Sequence, residues 1–502
     1  MRLRLLCAMV TLTFTLPCFA QSDIDTLRQQ IAAQQKQIED LQRTLEAQQK
    51  MLQQLTAAPA VAPAAPEAAP EAKPAEGAKV SAPLSFKIGD SEWTPGGFMD
   101  LTNIYRSNNL GSGIGTSFSG APFGNTAAGV NPEDRLSAQN SRLTLKVTSK
   151  VFNTAVTGYL ETDFLGNAPA NLNVTSNANT LRMRLYWVDA VKDKFEVLGG
   201  QSWSMLTPGR KGISPVPSDL FYSQDIDTNY QMGLIWTRAP QFRVVYHAST
   251  DLALGFALEN PQQYIGTASN VPSFVGTQLD AAATTSTPNI HPDIQAKVAY
   301  DAQSGGRQVL HLEASGVFRT FRIAGAAPAL THSTIHGGGG SVNGILEPVK
   351  NFRLIATSYW SSGGGRYIAN INAPDVVVRA NGSLSGVHAG SGIGGFEVQA
   401  TPSLLVYGYY SAAYIGRNWG VPASGTTLLG YGFPGSANSN NRLLEEGTVG
   451  FTYSFWKNPK YGALQLMNSY SYLYRVPWAP PTSGPVNAHS HMVFTNLRYL
   501  LP

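Results

Sequence analysis

Residues 141–203 alternate apolar and polar side chains through four consecutive runs, and this alternation narrows the possible folds more than any other feature of the chain. In the first run Leu143, Leu145 and Val147 point one way, and Arg142, Thr144, Lys146 and Thr148 the other. Val156, Gly158, Leu160 and Phe164 then oppose Thr157, Glu161 and Asp163. Leu181, Met183, Leu185 and Trp187 oppose Arg182 and Arg184, and a short glycine-containing run follows at 195–203. A period of two puts each class on its own face of a strand. A soluble sandwich shows the same alternation. Here, however, it returns in long runs to the C-terminus with no helical interruption. That is the pattern of a barrel with apolar side chains toward lipid and polar ones toward a wet lumen.

A length of 502 residues would suit several soluble domains, yet 49 glycines, 21 tyrosines and only 14% charged residues argue against a compact enzyme. No apolar run of about 20 residues follows the N-terminus, which excludes a helical membrane protein. The first twenty residues read as a secretory signal: Arg2 and Arg4, an apolar stretch from Leu5 to Leu16, and Ala20 at the cleavage point. Cleavage removes two of the 36 basic residues and leaves 34 against 32 acidic, a net +2 that does not point to nucleic acid. Cys7 and Cys18 both fall in this segment, so the mature chain is expected to have neither disulfides nor thiolate chemistry. Lipidation at Cys18 is a poorer reading, because Pro17 precedes it.

Directly after the signal, five heptads run without a break. Ile24, Ile31, Ile38, Leu45 and Leu52 occupy one seam position; Leu27, Gln34, Leu41, Gln48 and Leu55 occupy the other. This predicts a coiled coil over 21–56, about 48 Å long at 1.5 Å per residue over the heptads themselves. Gln34 and Gln48 can hydrogen-bond around a three-fold axis, which favours a homotrimer, with a dimer second. Residues 57–83 form an Ala/Pro/Glu tract whose prolines forbid helix and predict an extended spacer. The expected organisation is therefore a signal at 1–20, a coiled coil at 21–56, a linker at 57–83 and an all-β transmembrane barrel at 84–502.

Strand candidates within the barrel are 97–106, the four runs above, 231–238, 241–249, 252–259, 292–300, 307–319, 336–347, 351–361, 394–400, 403–415, 445–456, 461–475 and 488–499. These make seventeen, whereas a closed bacterial barrel of this kind has an even number, so sixteen strands are expected and eighteen are the alternative. Tight links are predicted at Lys192-Asp193, Ala239-Pro240, Thr250-Asp251, Pro348 to Lys350, Pro402 and Asn458-Pro459. Long connections are predicted at 107–139, 260–291, 362–393 and 416–443, the last part of the third holding the GSGIGG run at 390–395. His336 and the four glycines after it suggest a tight bend. Tyr105, Trp187, Tyr359, Trp360, Tyr414, Phe455, Trp456, Tyr474 and Trp478 are candidates for the interfacial girdles.

At SRLTLKV (141–147), ETDFLGN (161–167), LRMRLYWVDA (181–190) and EVLGGQSWSML (196–206) the chain resembles the DcaP-like trimeric porins, more weakly at LEASGVFRTFRI (312–323). The resemblance implies a periplasmic coiled coil, a linker and a sixteen-stranded trimeric barrel in the outer membrane of a Gram-negative-type bacterium. It also implies diffusion of small anions such as dicarboxylates. The chain departs from the usual aromatic last residue by ending Leu500-Leu501-Pro502, with Tyr499 the nearest aromatic.

By the same resemblance the segment after the fifth strand, from Ser204 to Gln231, is the constriction loop. It carries Arg210, Lys211, Asp219, Asp225 and Asp227, and Pro208, Pro215 and Pro217 stiffen it. Alternation turns Arg142, Lys146, Arg182 and Arg184 into the lumen, with Arg243, Arg319 and Arg353 further round. Arg182 and Arg184, two apart on one face, form a candidate anion ladder, because a guanidinium fork pairs with carboxylates and stays charged. The lumen acids Glu161, Asp163, Asp293 and Glu313 compete for the same arginines.

No HExxH or GxSxG motif occurs, His311 with Glu313 is too little for a metal site, and neither enzyme activity nor a cofactor or metal is expected. Three functional readings follow: an anion-preferring porin, a sugar-selective porin lined by aromatics, and a tether whose rod joins outer-membrane lipid to peptidoglycan.

Overall fold

In a computed structural model of the protein, the described residues are 84–166, 177–265, 289–421 and 428–502, with 272, 275 and 278. The signal, heptads and linker expected at 1–83 lie outside them. Sixteen antiparallel staves form the barrel among the described residues. The first four are β1 (Ser91–Arg106), β2 in two pieces (Glu133–Ser137 and Arg142–Val151), β3 (Thr154–Asp163) and β4 (Arg182–Lys192). Next come β5 (Phe195–Trp203), β6 (Arg238–His247), β7 (Leu252–Glu259) and β8 (Asp293–Ser304). They are followed by β9 (Arg307–Ala324), β10 (His332–Val349), β11 (Phe352–Ser362) and β12 (His388–Thr401). The last are β13 (Leu404–Ile415), β14 (Asn441–Asn458), β15 (Gly462–Pro477) and β16 (Ala488–Leu500). Both pieces of β2 pair with β1, and β1 pairs with β16 from Phe98 opposite Leu500 to Arg106 opposite Met492, which closes the cylinder.

The count of sixteen agrees with the sequence expectation, and the surplus candidate was 231–238. That segment is the end of the connection after β5, and Ala239-Pro240 is no turn but lies inside β6, with Pro240 opposite Gln201. Met232, Leu234 and Ile235 are apolar because they pack inside the barrel, so their pattern imitates a strand without being one. The GSGIGG run was also misplaced: it belongs to β12, not to a loop. Glycine is needed there because a Cβ at Gly390 would meet the Trp360 ring at 2.2 Å and one at Gly395 the Tyr409 ring at 2.4 Å. The glycines after His336 form no bend. They hold register with β9 throughout, and a Cβ at Gly337 would meet the Phe321 ring, and one at Gly339 the Tyr359 hydroxyl, at 2.7 Å.

Successive staves are joined on one rim by short turns at 152–153, 193–194, 248–251, 305–306, 350–351, 402–403 and 459–461. Gly305 and Gly306 both have positive φ, as a two-residue hairpin turn of the primed type requires. The other rim carries the long connections, of which 107–132, 204–237 and 363–387 are the ones that shape the interior. The outward faces are apolar and exposed, as at Leu143, Val188, Phe242 and Phe256, while Thr102, Glu161, Arg243 and Glu313 on the inward faces are buried. Outward Tyr105, Trp360, Tyr414, Phe455 and Trp456 suit the girdles. Trp187 and Tyr359 do not: each is 3% exposed and faces inward, where loops rather than lipid cover it.

The seam between β1 and β2 gives the fold's most demanding backbone position. Gly97 has φ +123°, and a Cβ there would lie 2.1 Å from the Arg142 carbonyl oxygen. We expect Gly97→Ala to cost roughly 2 kcal/mol or more of barrel stability. Gly199→Ala, at a position with nothing within 4 Å, should be tolerated. Urea unfolding of the detergent-refolded protein, followed by the gel-mobility shift of the folded barrel, checks the pair.

Candidate pore constriction and its charges

The connection after β5 leaves the wall at Trp203 and returns at Trp236, and the two indoles stack with centroids 3.8 Å apart. Ser204 N donates to Thr237 O at 2.9 Å, so the ends of the loop are pinned together. Between these ends the chain folds into the lumen and bonds to the wall on two sides. On the first side Met205 N donates to Glu259 Oε1 (2.9 Å), Lys297 Nζ to Thr207 O (2.7 Å) and Gly212 N to Asp301 Oδ2 (2.8 Å). On the second, Arg210 forks onto Glu397 at 3.0 and 2.7 Å, and Gln224 N donates to the Tyr409 hydroxyl at 3.1 Å. Further along, Met232 N donates to Glu446 Oε2 at 2.8 Å and Ser391 Oγ to Gly233 O at 2.7 Å. A loop this heavily anchored to β7, β8, β12, β13 and β14 is a fixed obstruction.

Cavities open on either side of it. The larger, about 660 Å³, lies toward the rim of long connections and is lined by Arg182, Arg184, Arg238 and Arg366, with Trp203, Trp236, Gln201 and Asn229 among its other walls. No acidic side chain among the described residues lines it. The acids stand behind the arginines. Arg182 Nε and Nη2 donate to Asp163 at 2.9 and 2.6 Å; Arg184 donates to Glu161 at 2.5 Å and to Asp163 at 2.9 Å. Arg142 approaches Glu161 at 3.6 Å. Arg182 stays 38% exposed while Asp163 is 1% exposed, so the bases, not the acids, meet the water. Arg238 and Arg366 make no ion pair among the described residues. Arg238 Nη1 and Arg366 Nε and Nη2 have no hydrogen-bond acceptor there, and the two guanidiniums lie 5.2 Å over the Trp203 ring and 4.8 Å over the Tyr367 ring. Four guanidiniums less the two carboxylates behind them leave +2 at this cavity.

The smaller cavity, about 330 Å³, lies toward the rim of short turns and mixes Arg210, Lys211 and Arg353 with Asp219 and Glu347. Arg353 is 46% exposed and shared between Glu347 (3.2 Å) and Glu397 (3.6 Å). Lys146 is exposed on the inward face of β2. Arg243 and Arg319, expected to line the pore, are instead buried in the wall. Arg243 approaches Glu196 at 3.6 Å; Arg319 is fully buried between Asp293 (2.9 Å) and Asp375 (3.0 Å) and pins the 363–387 connection. Glu313 is buried against Lys297 (3.1 Å) and His311 (3.2 Å).

The loop acids differ most from expectation. Asp225 and Asp227, expected on the constriction loop, do not face open lumen: both are buried on the loop's wall side, and neither has an ion-pair partner among the described residues. Asp225 accepts from Ser223 Oγ at 2.9 Å; Asp227 Oδ1 accepts from Asn229 N at 2.9 Å and Thr116 N at 3.3 Å. Burial, and then the neighbouring Asp227, push the Asp225 carboxyl well above the usual carboxylate range. Burial raises Asp227 too, against the opposing pull of Arg106. Alternation alone could have flagged Glu397 and Glu446 as inward. Arg238 and Arg366 were missed because one was assigned to a strand that does not exist and the other sits in a long connection.

No protein-family model matches the chain. No curated protein matches it either. Among solved structures, the outer membrane channel DcaP of Acinetobacter baumannii matches with 17% identity over 83% of this chain and 100% of that one, at a TM-score of 0.61. The anion-selective porin from Comamonas acidovorans matches with 14% identity over 82% and 100%, at a TM-score of 0.47. The barrel therefore has the fold of the DcaP channel.

The buried loop acid makes a pH prediction with a definite sign. Asp225 has a raised pKa in the docked loop, so the docked state binds more protons than a freed one between the ordinary value of 3.8 and the raised value. Docking is then strongest at low pH and weakens as pH rises through that window. Open-channel current noise in planar bilayers should grow as pH is raised above 3.8 through that window, and Asp225→Asn should flatten that dependence.

Proposed function

We propose that the protein is an outer-membrane porin: a passive, water-filled channel, working as a homotrimer, for small hydrophilic anions such as dicarboxylates. One observation supports the charge preference, namely that among the described residues the larger cavity presents four arginines and no acid. In a narrow, low-dielectric setting such a surplus raises the local concentration of anions and lowers that of cations. Arg238 and Arg366 contribute most. Neither makes an ion pair among the described residues, and both line the cavity, with their guanidiniums over the Trp203 and Tyr367 rings. Arg182 and Arg184 serve a second purpose, neutralising Glu161 and Asp163 so that those acids do not draw cations. Arg182, 38% exposed, offers a passing anion a guanidinium that faces water, so the anion can bind and leave without a conformational step, as conduction requires. The likeness to the DcaP fold supports the channel reading, and the outward apolar faces support placement in a bilayer.

The aromatic group at the loop's ends favours a second reading. Trp236 touches Trp203, Tyr222 and Tyr230 beside the same lumen, and sugar rings stack on such surfaces. Block of the current by oligosaccharides would mark a sugar-selective porin. The heptads at 24–55 remain the proposed clamp of the trimer on the periplasmic side, with a cell-wall tether as their other use.

The reversal potential in a salt gradient tests the main reading. Wild-type protein in a planar bilayer should prefer anions and show conductance steps in threes. The preference should shrink as salt is raised and the arginines are screened. Arg238→Ala combined with Arg366→Ala should lower the anion-to-cation permeability ratio by roughly threefold or more while leaving the pore open. Cation preference in the wild type, or a ratio unmoved by the double substitution, would overturn the anion assignment.

A further inference from the structure

On β16 the side chains of His489, His491, Val493 and Leu497 turn outward, while Ala488, Ser490, Met492 and Phe494 between them are buried. A spacing of two sets His489 and His491 on one face, next to each other along the strand. Both are exposed, and they stand where the stave meets the connection 478–487, on the rim of long connections. In an outer-membrane arrangement that rim faces the outside of the cell. Among the described residues these are the one pair of imidazoles in ring contact, with centres 5.9 Å apart and planes at 85°. His388, also exposed, stands singly and stacks on Trp360 instead.

Neighbours on β15 hold the pair in place. Tyr472 is the register partner of His491, and its ring lies 5.0 Å from His491 and 5.9 Å from His489. The Tyr470 hydroxyl is 2.7 Å from His491 Nδ1. When that nitrogen donates to the hydroxyl, the lone pair of the ring is on Nε2. Metal-bound histidines are oriented in this way, one nitrogen tied to a polar neighbour and the other given to the ion. A late transition ion sits about 2.0–2.1 Å from an imidazole nitrogen, hence about 3.2 Å from the ring centre. Two rings that share an ion then have centres between about 4.5 Å apart, at a right angle, and about 6.4 Å, in line. The 5.9 Å between His489 and His491 falls within that range. No group of three or more His, Cys, Asp or Glu side chains able to hold a metal converges among the described residues, so water would complete the coordination. Two imidazoles without a carboxylate select against Ca²⁺ and Mg²⁺, which take oxygen ligands. They suit Cu²⁺, Ni²⁺ and Zn²⁺, with Cu²⁺ first in the general order of affinity.

We infer that His489 and His491 form a surface site for a divalent late transition-metal ion, with Tyr470 as the residue that positions His491. Both ligands come from one chain and lie outside the lumen, so the site is independent of which solutes the pore passes.

Titration of the full-length, untagged protein with Cu²⁺ in detergent tests the assignment. Calorimetry measures the affinity, with glycine in the buffer to compete for weakly held copper, and pulsed electron paramagnetic resonance counts the coordinated imidazoles. The wild type should bind one Cu²⁺ per chain through two imidazoles. His489→Ala and His491→Ala should each abolish the two-imidazole signal. Tyr470→Phe should keep that signal while weakening binding roughly tenfold, as loss of a bond that orients a ligand does. His388→Ala should change neither readout. Folding is checked by the mobility of the unheated barrel, and glutamine replaces alanine at either position where the alanine variant does not fold. A two-imidazole signal that survives substitution of both histidines, or that His388→Ala also removes, would overturn the site. So would a wild type that holds no more copper than the doubly substituted protein. Single-channel current should stay constant while the site fills; a block that follows the binding curve would put the ion in the lumen and overturn the assignment as well.

Discussion

Lipid offers no hydrogen-bond partner to a peptide group, so every N–H and C=O of a membrane strand must be satisfied by another strand. Nearly everything else in this molecule follows from that demand. A chain of antiparallel hairpins leaves no free edge only if the last strand pairs with the first, and β16 does pair with β1 over nine residues. Antiparallel closure makes the stave number even, which places both ends of the barrel and all the short turns on one rim. The long connections are forced to the other. Sixteen staves enclose a lumen too wide for side chains alone to fill. The loops take up that space, and the connection after β5 bonds to five of the staves as it does so.

An inward loop carries polar backbone into a confined space and so needs partners there. It obtains them from inward side chains of strands remote in sequence: Glu259, Lys297, Asp301, Glu397 and Glu446. This explains why so many charges in the lumen are structural. Lys297, Glu313 and His311 form a closed set, as do Arg319, Asp293 and Asp375, and none of these offers its charge to a passing ion. On the proposed anion reading, selectivity depends not on how many arginines the lumen contains but on which ones stand without an ion-pair partner among the described residues. Arg238 and Arg366 do, for opposite reasons of placement. The first stands at the start of β6 over an indole, and the second in a connection against Tyr367.

The barrel was legible because its rule is local. Alternation at Arg142 to Thr148 needs only adjacent residues to be compared, and the lipid side of that rule admits few exceptions. The rule failed where packing inside the barrel produced the same signature, as at Met232 and Leu234, or where glycine replaced a side chain to admit a ring, as at Gly390 and Gly395. The charged site was legible only in part. Facing direction could be read for Arg182, Arg184, Glu161 and Asp163, and all four do turn inward. Pairing could not, because β3 and β4 slip by one residue at a bulge between Glu161 and Thr162, and this brings Arg182 opposite Asp163. The burial of Asp225 depends on contacts with β13 and β14, more than 170 residues away in the chain, and no local pattern encodes that.

On the proposed anion reading, a lumen built in this way couples selectivity to the posture of its loop. The carboxyl of Asp225 is held above the usual range because the docked loop excludes water from it and sets it beside Asp227. Were the loop to lift, both acids would hydrate and ionise, adding negative charge to a cavity whose surplus is only +2 by the count of four arginines and two acids. The ion preference would then weaken at the moment the aperture widened. A docked loop hides its acids, and the arginines then act unopposed. The same burial that fixes the width of the pore therefore also maintains the sign of its field.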